Sequence, residues 1–343
     1  MSTPSEGPGE LRLSTARSIA YAVLVTAAFF GLAEVALWWV DPAPPLRPRL
    51  LLRAIDVDVE FPFMQPDPEL FWEPRPGYRG EFRGHKVHIN TLGLRGPELR
   101  TPKPPGRRRL VAFGDSITFG YGVGEPDTYP ARLGALLEER GVEVANGGVT
   151  GYTTHQVLRR LRRLLPALRT DVASFCVGWN DGTLRPVSDR VYAARLRSTR
   201  AVEGALGDWR LYRLLAGFYV RNRLRAEREA EVREQPRVPL DEYRHNLARI
   251  VADCRAAGVL PVFVRLPHRR VPGEPAPETP YESALLEVAR ELDVAALPVG
   301  ELGLESRAAD TRAAFVDSLH LSPSGGELMA RELARGLAEL GVF

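Results

Sequence analysis

The chain has 343 residues, 44% of them hydrophobic and 26% charged, which is ordinary for a globular protein and sufficient for a large core. Its 46 basic and 43 acidic residues leave a formal charge of +3, so charge does not indicate nucleic-acid binding, and no nucleic-acid partner is expected. Cys176 and Cys254 fall in a predicted strand and a predicted helix. We expect two buried free thiols rather than a disulfide, and the count indicates no particular redox compartment.

An apolar segment follows a polar tail over residues 1–17. Residues 18–40 are almost wholly apolar, interrupted by Glu34 and closed by Trp38 and Trp39. About 20 apolar residues suffice to cross a bilayer, and aromatic residues favour its interface, so a single transmembrane anchor is predicted. A cleaved signal peptide is one alternative, although the run is long and lacks a convincing cleavage site. A buried core helix is the other alternative. Glu34 is costly in lipid, where it would be protonated or face a partner.

Residues 41–107 are expected to link this anchor to a catalytic domain that begins at about residue 108. The first part is rich in proline and reads as extended, with aromatic patches that indicate packing against something. Residues 78–94 contain short alternating runs around a turn at residues 90–93, which predicts a small β element.

From residue 108 onward, predicted strands and helices alternate, which favours a parallel, doubly wound sheet. Strands are predicted at 110–113, 142–145, 172–177, 260–266 and, weakly, 294–297, and helices at 128–140, 154–168, 241–257, 281–292 and 324–340.

The alternation breaks over an insert at about 182–240, which is too long for a plain loop and should carry its own helices. Residues 208–220 mix aromatic residues with arginine. They are either a lid or membrane-surface helix or a helical excursion whose apolar face packs on the domain. Residues 223–237 are highly charged and predict a solvated helix or a mobile loop.

The strand at 110–113 stops at Gly114, and Ser116 follows Asp115 directly after it. A serine at the carboxyl end of a parallel strand lies where open α/β sheets place their ligands. Serine is a weak nucleophile unless a base takes its proton, so a nucleophilic role for Ser116 requires a histidine or an equivalent base.

Six histidines could supply that base. His320 stands three residues after Asp317 and just before a helix start, so the carboxylate can hold one ring nitrogen while the other faces a nucleophile. An Asp-x-x-His pair alone is a weak signal. Of the others, two are expected far from the sheet in the β element, two on helix surfaces, and one at a strand end where it could line the site; these are His85 and His88, His155 and His245, and His268.

Two further loops follow predicted strands. Residues 146–151 read Asn-Gly-Gly-Val-Thr-Gly, and residues 178–181 read Gly-Trp-Asn-Asp. A glycine there can offer an unhindered backbone N–H and an asparagine a side-chain N–H. With the N–H of Ser116, such donors would form an oxyanion hole.

Four blocks in this order resemble the SGNH (GDSL-type) hydrolase family over roughly residues 108–343. The blocks are Gly114-Asp115-Ser116, with Ile117 where the family has Leu, then Gly151, then Gly178-x-Asn180-Asp181, and finally Asp317-x-x-His320. The resemblance implies a three-layer α/β/α sandwich with a parallel, flavodoxin-like sheet.

The resemblance also implies roles for particular residues: Ser116 as nucleophile, His320 as base and Asp317 as its orienting carboxylate. The implied oxyanion donors are the Ser116 N–H, the Gly151 N–H and the Asn180 side chain, with Gly148 as the alternative glycine. Asp115 is expected to be structural, and Trp179 either lines an acyl pocket or packs against the insert.

The function implied is a serine esterase or acyl hydrolase that acts on carboxylic esters without cofactor or metal. The alternatives are an O-acyltransferase with the same triad and a non-catalytic envelope binding protein. Membrane anchors precede this domain in bacterial envelope members of the family, so an extracytoplasmic domain and an envelope polysaccharide or lipid ester are expected. The positive-inside rule alone slightly favours the opposite side, and the sequence indicates no oligomeric state.

Overall fold

The computed structural model describes residues 14–40, 61–229, 234–267, 279–299 and 311–343. The chain divides into two compact units. One comprises Met1–Ile55 and Thr199–Ala230, and the other comprises Asp56–Ser198 and Glu231–Phe343.

Helix α1 (Thr15–Val40) contains the predicted transmembrane segment. It is long and apolar enough to cross a membrane, with a hydropathy of 2.0 over its most apolar window, although a signal sequence would pass the same test. None of its side chains is buried. A helix in the core of a soluble protein would be mostly covered, so that alternative for residues 18–40 does not fit.

The second unit begins with two small antiparallel hairpins. The first pairs β1 (Met64–Asp67) with β2 (Phe71–Pro74), and the second pairs β3 (Arg79–Phe82) with β4 (His85–His88). The predicted β element over residues 78–94 is therefore present. The expectation that it lies far from the sheet is wrong. After β4, the Arg95 N–H donates to the Asn146 carbonyl oxygen at 3.0 Å, at the end of an edge strand of the parallel sheet. Residues 61–107 belong to the same compact unit as the sheet.

The central sheet alternates with helices along the chain. In chain order the elements are β5 (Arg108–Gly114), α2 (Ser116–Phe119), α3 (Tyr129–Leu137), β6 (Val142–Asn146), α4 (Thr154–Leu168), β7 (Val172–Cys176), β8 (Leu184–Arg185), α5 (Asp189–Leu206), α6 (Arg210–Glu229), β9 (Gln235–Pro236), α7 (Leu240–Ala256), β10 (Leu260–Val264), α8 (Pro280–Glu291), β11 (Ala296–Leu297) and α9 (Pro323–Glu339).

Five of these strands form one parallel sheet in the order β11-β10-β7-β5-β6. Helices α3 and α9 pack together on one face, and α4, α7 and α8 form a layer on the other. Strand β5 is covered on both faces, and its four apolar residues, Leu110, Val111, Ala112 and Phe113, are fully buried. This burial explains the continuous apolar run, since a parallel strand between helix layers has no solvent-facing side. The predicted three-layer α/β/α fold is confirmed.

The insert carries two helices, α5 and α6, as its length predicted. Its base is closed by the antiparallel pair β8 and β9, in which Leu184 lies opposite Pro236. Arg237, at the end of the stretch predicted to be solvated, is instead 5% exposed. A run of charged residues gives no sign that one of them is buried, because burial depends on the partners that the fold supplies.

Candidate active site

Ser116 lies at the first position of the short helix α2, directly after β5. The Asp115 carboxylate caps this helix by accepting a hydrogen bond from the Ile117 N–H at 2.9 Å. Gly114 is required at the turn, because a Cβ there would lie 2.6 Å from the Cys176 carbonyl oxygen. The tight turn and its cap present the Ser116 hydroxyl at the carboxyl edge of the sheet, where the sequence predicted it.

His320 connects Ser116 to Asp317. Its Nε2 lies 2.8 Å from Ser116 Oγ, and its Nδ1 lies 2.7 Å from Asp317 Oδ2. The other carboxylate oxygen, Asp317 Oδ1, accepts the N–H groups of Leu319 and His320, each at 2.8 Å. The carboxylate thereby fixes both the turn and the tautomer in which Nδ1 carries a proton and Nε2 is free to accept one.

The loop that carries His320 is tied to the protein on both sides. The Val316 N–H donates to the His320 carbonyl oxygen at 2.8 Å, and an antiparallel bridge joins Phe315 to Leu321. Ser322 then caps α9 by accepting the Gly325 N–H at 3.2 Å. The predicted helix start after His320 therefore anchors the loop that carries this histidine.

Gly148 and Gly151 are the two candidates for the predicted glycine donor of the oxyanion hole, and their hydrogen bonds differ. The Gly148 N–H donates to the Asn146 side-chain oxygen at 3.0 Å, and a Cβ on Gly148 would lie 2.4 Å from the Phe119 nitrogen. Gly151 has a φ of +78°, which favours glycine, and none of the hydrogen bonds found among the described residues uses its N–H. The Gly148 N–H is thus already committed, whereas the Gly151 N–H is available to a ligand.

The Asn180 amide is held from two sides. Its Nδ2 donates to Asp115 Oδ2 at 3.0 Å and to the Tyr152 carbonyl oxygen at 3.1 Å. The amide thereby joins the residue before Ser116 to the residue after Gly151. The structure brings all three predicted donor positions into one hydrogen-bonded neighbourhood.

The model of the GDSL-like lipase/acylhydrolase family matches residues 112–328, a range that includes all the residues just described. The chain belongs to this family. An arylesterase from Vibrio mimicus is 36% identical over 90 residues, which cover 26% of this chain and 44% of the relative. That match spans less than half of the relative's length.

Solved structures of hydrolases also resemble the chain. A psychrotrophic esterase from Pseudoalteromonas is 15% identical, with 69% of this chain and 100% of that chain covered and a TM-score of 0.44. A lipase/acylhydrolase from Enterococcus faecalis is 18% identical, with 67% and 95% covered and a TM-score of 0.43.

In this GDSL-family chain a buried arginine holds the Gly151 loop from behind. Arg237 Nη1 donates to the Gly151 carbonyl oxygen at 2.8 Å, and Nη2 donates to Gln156 Oε1 at 2.9 Å. Two further bonds of 3.0 Å pair the guanidinium with Asp189, which also accepts from the Thr153 hydroxyl at 2.7 Å. A planar guanidinium can make these bonds together, which a lysine cannot.

The first hairpin holds the same loop from its other side. Trp72 Nε1 donates to the Thr150 carbonyl oxygen at 3.0 Å, and the Tyr152 hydroxyl donates to the Trp72 carbonyl oxygen at 2.5 Å. A Cβ on Gly151 would lie 3.2 Å from the Trp72 ring. The segment predicted as a linker therefore supplies part of the wall behind the candidate oxyanion hole.

The second hairpin packs against Tyr121, which in turn contacts His320. The Tyr121 ring centroid lies 4.6 Å from that of His320, and the guanidinium of Arg83 lies 4.9 Å from the Tyr121 centroid. Arg95 secures the preceding turn, where its guanidinium donates to the carbonyl oxygens of Phe119 and Gly120 at 2.7 and 2.6 Å. These contacts fix the chain immediately after α2.

Burial governs the electrostatics of two aspartates. It raises the pKa of Asp115 to about 7, against the effect of its hydrogen bonds from Ile117 and Asn180. It also raises the pKa of Asp181 to about 7, although the Thr154 hydroxyl and N–H donate to that carboxylate. For Asp317, desolvation acts upward, but the hydrogen bonds from His320 and Leu319 outweigh it and lower the pKa. A carboxylate that stays ionised is what the orientation of His320 requires.

The other histidines do not join this cluster. His245 is exposed on α7, as predicted. His155 was expected on a helix surface but is 2% exposed, with Nδ1 lying 3.2 Å from Glu242. His85 and His88 lie on β4, and His268 lies outside the described residues. Over the ranges that the structure describes, no group of three or more His, Cys, Asp or Glu residues is arranged to hold a metal ion. Both cysteines are free and buried, as predicted.

Sequence reasoning missed the residues that support the site from a distance, namely Trp72, Arg95, Tyr121 and Arg237. Trp72 belongs to an aromatic patch that was expected to pack against something. The sequence therefore indicated its burial but not the residues that it contacts. Arg95 and Arg237 are two of many arginines, and nothing local marks them. Only their distant partners, among which are backbone carbonyl oxygens, distinguish them.

Proposed function

We propose that the chain is a serine esterase that hydrolyses carboxylic esters with Ser116 as nucleophile, His320 as base and Asp317 as the carboxylate that orients it. The observation that carries this proposal is the continuous hydrogen-bonded sequence from Ser116 Oγ to His320 Nε2 at 2.8 Å and from His320 Nδ1 to Asp317 at 2.7 Å. Membership of the acylhydrolase family supports the same reaction class.

In this mechanism His320 takes the hydroxyl proton as Ser116 Oγ forms a bond to the ester carbonyl carbon. The carbonyl electron pair moves to oxygen, and the N–H groups of Ser116 and Gly151 and the Asn180 amide stabilise the oxyanion. Collapse of this intermediate breaks the bond to the alcohol oxygen, which receives the proton from His320. Water, deprotonated by His320, then releases the acyl group as a carboxylic acid and regenerates Ser116.

The Asn180 amide has two hydrogens, and both have partners in the structure. Donation to the oxyanion therefore requires the hydrogen directed at the Tyr152 carbonyl oxygen to be shared with the substrate. The bond to Asp115 holds the amide in place during this exchange. Trp179 precedes Asn180 and is 42% exposed, and we propose that its exposed ring lines the acyl side of the site.

The experiment is to treat the full chain with a fluorophosphonate probe and to assay p-nitrophenyl acetate hydrolysis in parallel. We expect the probe to modify Ser116, as located by peptide mass spectrometry, and Ser116→Ala to abolish both labelling and turnover. The matched control is Ser174→Ala, a buried serine in β7 outside the site. Labelling of another residue, or equal turnover by Ser116→Ala, would contradict the assignment.

The cellular side of the proposal is that α1 anchors the chain and the hydrolase unit lies outside the cytoplasm, acting on acyl esters of envelope polysaccharide or lipid. The length and hydropathy of α1 support an anchor. Protease added to intact cells should digest the hydrolase unit if this orientation is correct. Protection until the membrane is opened would place the unit on the cytoplasmic side.

A further inference from the structure

The apolar helix α1 has a partner within its own unit, the turn between α5 and α6. Glu34 Oε1 accepts the Arg210 N–H at 2.7 Å, and Glu34 Oε2 accepts the Leu211 N–H at 2.9 Å. These are the first two backbone donors of α6, which have no partner inside their own helix. The only acidic residue of α1 is thus used to cap another helix.

The contact continues along the middle of α1. A groove of about 650 Å³ lies between the two segments and is lined on one side by Ala22, Thr26 and Phe30 and on the other by Leu206, Trp209 and Leu215, among others. Glu34 stands six residues before the end of α1, about 9 Å along its axis. The insert therefore meets α1 inside its apolar length and not at its end.

Three apolar side chains in the first half of α6 are largely uncovered. Leu214, Leu215 and Phe218 are 52, 55 and 61% exposed. Phe218 follows Leu214 by four residues and Leu215 by three, so it neighbours both on one side of the helix. Beside them, α1 has no buried residue at all. Together the two helices present an extended apolar surface, which in water would promote aggregation.

We propose that the turn between α5 and α6 and the first part of α6, residues 206–219, enter the lipid bilayer beside α1. The occupant of the exposed apolar face is the hydrocarbon of the lipids. The reason is geometric: α1 is long enough to span a bilayer, and a segment that packs on the middle of a spanning helix lies within the membrane itself. This proposal rests on the proposed membrane anchor and does not depend on the esterase chemistry.

The Glu34 bonds fit this location better than an aqueous one. Within hydrocarbon no water is available for the N–H groups at the start of a helix, so the protein must supply their acceptor. A carboxylate in a membrane helix is costly unless it has a partner, and here it has two N–H donors and the charges of Arg210 and Arg213 nearby. The sequence feature that looks unfavourable for an anchor becomes the attachment point of the insert.

The test uses a single reporter on the full chain in liposomes of phosphatidylcholine and phosphatidylglycerol. Cys176 and Cys254 are fully buried, so a bimane label will report an introduced surface cysteine. The reporter variant is Leu215→Cys, and the matched control is Leu184→Cys, which is 49% exposed in the other unit. Leu24→Cys, on α1, shows whether α1 itself lies in the lipid.

We expect lipids with a spin label in the acyl chain to quench the probe at position 215 severalfold more than the probe at 184, with a blue-shifted emission at 215. Quenching at 215 no greater than at 184 would overturn the proposal. A blue shift without quenching by lipid would also overturn it, because a second copy of the chain would then cover the face. An unquenched probe at Leu24→Cys would remove its premise.

A pair of substitutions separates the cap from the anchor. Glu34→Leu makes α1 more favourable in lipid but removes both acceptors, whereas Glu34→Gln keeps one oxygen as an acceptor. We expect quenching at position 215 to fall most in Glu34→Leu and to be partly retained in Glu34→Gln, while quenching at Leu24→Cys is unchanged. Unchanged quenching at 215 in Glu34→Leu would show that Glu34 does not hold the insert in the membrane.

Discussion

The Asn180 amide donates a hydrogen bond to the Asp115 carboxylate, with 3.0 Å between Nδ2 and Oδ2. The other carboxylate oxygen accepts the Ile117 N–H at 2.9 Å. One buried side chain therefore holds both the helix that begins at Ser116 and the proposed oxyanion donor. Asp115, expected to be structural, is a positioning residue for two parts of the site.

Asp115→Asn should therefore lower turnover through Asn180. The new amide has one oxygen for two donors, so its NH₂ group must face either the Ile117 N–H or the Asn180 amide. We expect kcat for p-nitrophenyl acetate to fall about tenfold to hundredfold, below the loss of about 10²–10³ expected when an oxyanion donor is removed.

A double-mutant cycle checks this route. If Asp115 acts through Asn180, then Asp115→Asn will cost much less in a background that already carries Asn180→Ala. Independent, multiplying losses in kcat would mean that Asp115 acts only through the cap of α2.

Asp181 predicts a pH dependence of stability. Its pKa of about 7 in the folded protein lies above the ordinary value. Between about pH 4 and 7 the folded protein therefore keeps a proton that the unfolded chain has already released. The contribution of Asp181 is then fully present below about pH 4 and is lost as the pH rises toward 7. Asp181→Asn lacks this dependence.

The measurement is the free energy of unfolding in urea at several pH values for the two proteins. The wild-type value minus the Asp181→Asn value should fall by a few kcal/mol, as an order of magnitude, between pH 4 and 7. A difference that is flat or that rises with pH would show that the carboxylate is not destabilised by its burial.

The sheet and the four blocks could be predicted because they depend on local pattern. Continuous apolar runs predict strands that are buried on both faces, and observed bounds such as Thr154–Leu168 for α4 match the prediction. Gly114, Ser116 and His320 could be assigned in the same way, since the turns that present them are short and their residues adjacent.

The support around the site could not be predicted, because it depends on contacts between distant segments. The Trp72 indole reaches the Thr150 carbonyl oxygen across 78 residues, and Arg237 reaches Gly151 across 86. Backbone carbonyls carry no mark in a sequence. For the same reason His155 was predicted on a helix surface: the segment that covers it, through Phe71, was interpreted as an extended linker, and what its aromatic residues pack against could not be predicted.

Tyr121 should influence catalysis through its contact with His320. Its ring lies 4.6 Å from the imidazole, centroid to centroid, and fills the space on that side. Tyr121→Ala should lower kcat about tenfold to hundredfold, because the imidazole gains freedom to leave the line between Ser116 and Asp317. Tyr121→Phe keeps the ring and should retain most of the activity. Equal losses in both variants would assign the effect to the hydroxyl instead.

Substitution of Arg237 can separate an effect on the position of the Gly151 peptide from an effect on the stability of the fold. It forms a buried ion pair with Asp189 and also donates to the Gly151 carbonyl oxygen at 2.8 Å. Arg237→Lys cannot reproduce the planar set of bonds, so the Gly151 peptide, and with it the N–H proposed for the oxyanion, loses its anchor. We expect kcat to fall by at least about tenfold with KM little changed.

Asp189→Asn is the matched control for this variant. It weakens the same ion pair, and so lowers the free energy of unfolding, but it leaves the Arg237 bond to the Gly151 carbonyl oxygen in place. The two variants should therefore lose comparable stability in urea, while only Arg237→Lys loses most of its turnover. If kcat instead falls equally in both, the arginine acts by holding the fold together, and the Gly151 peptide does not depend on it for its orientation.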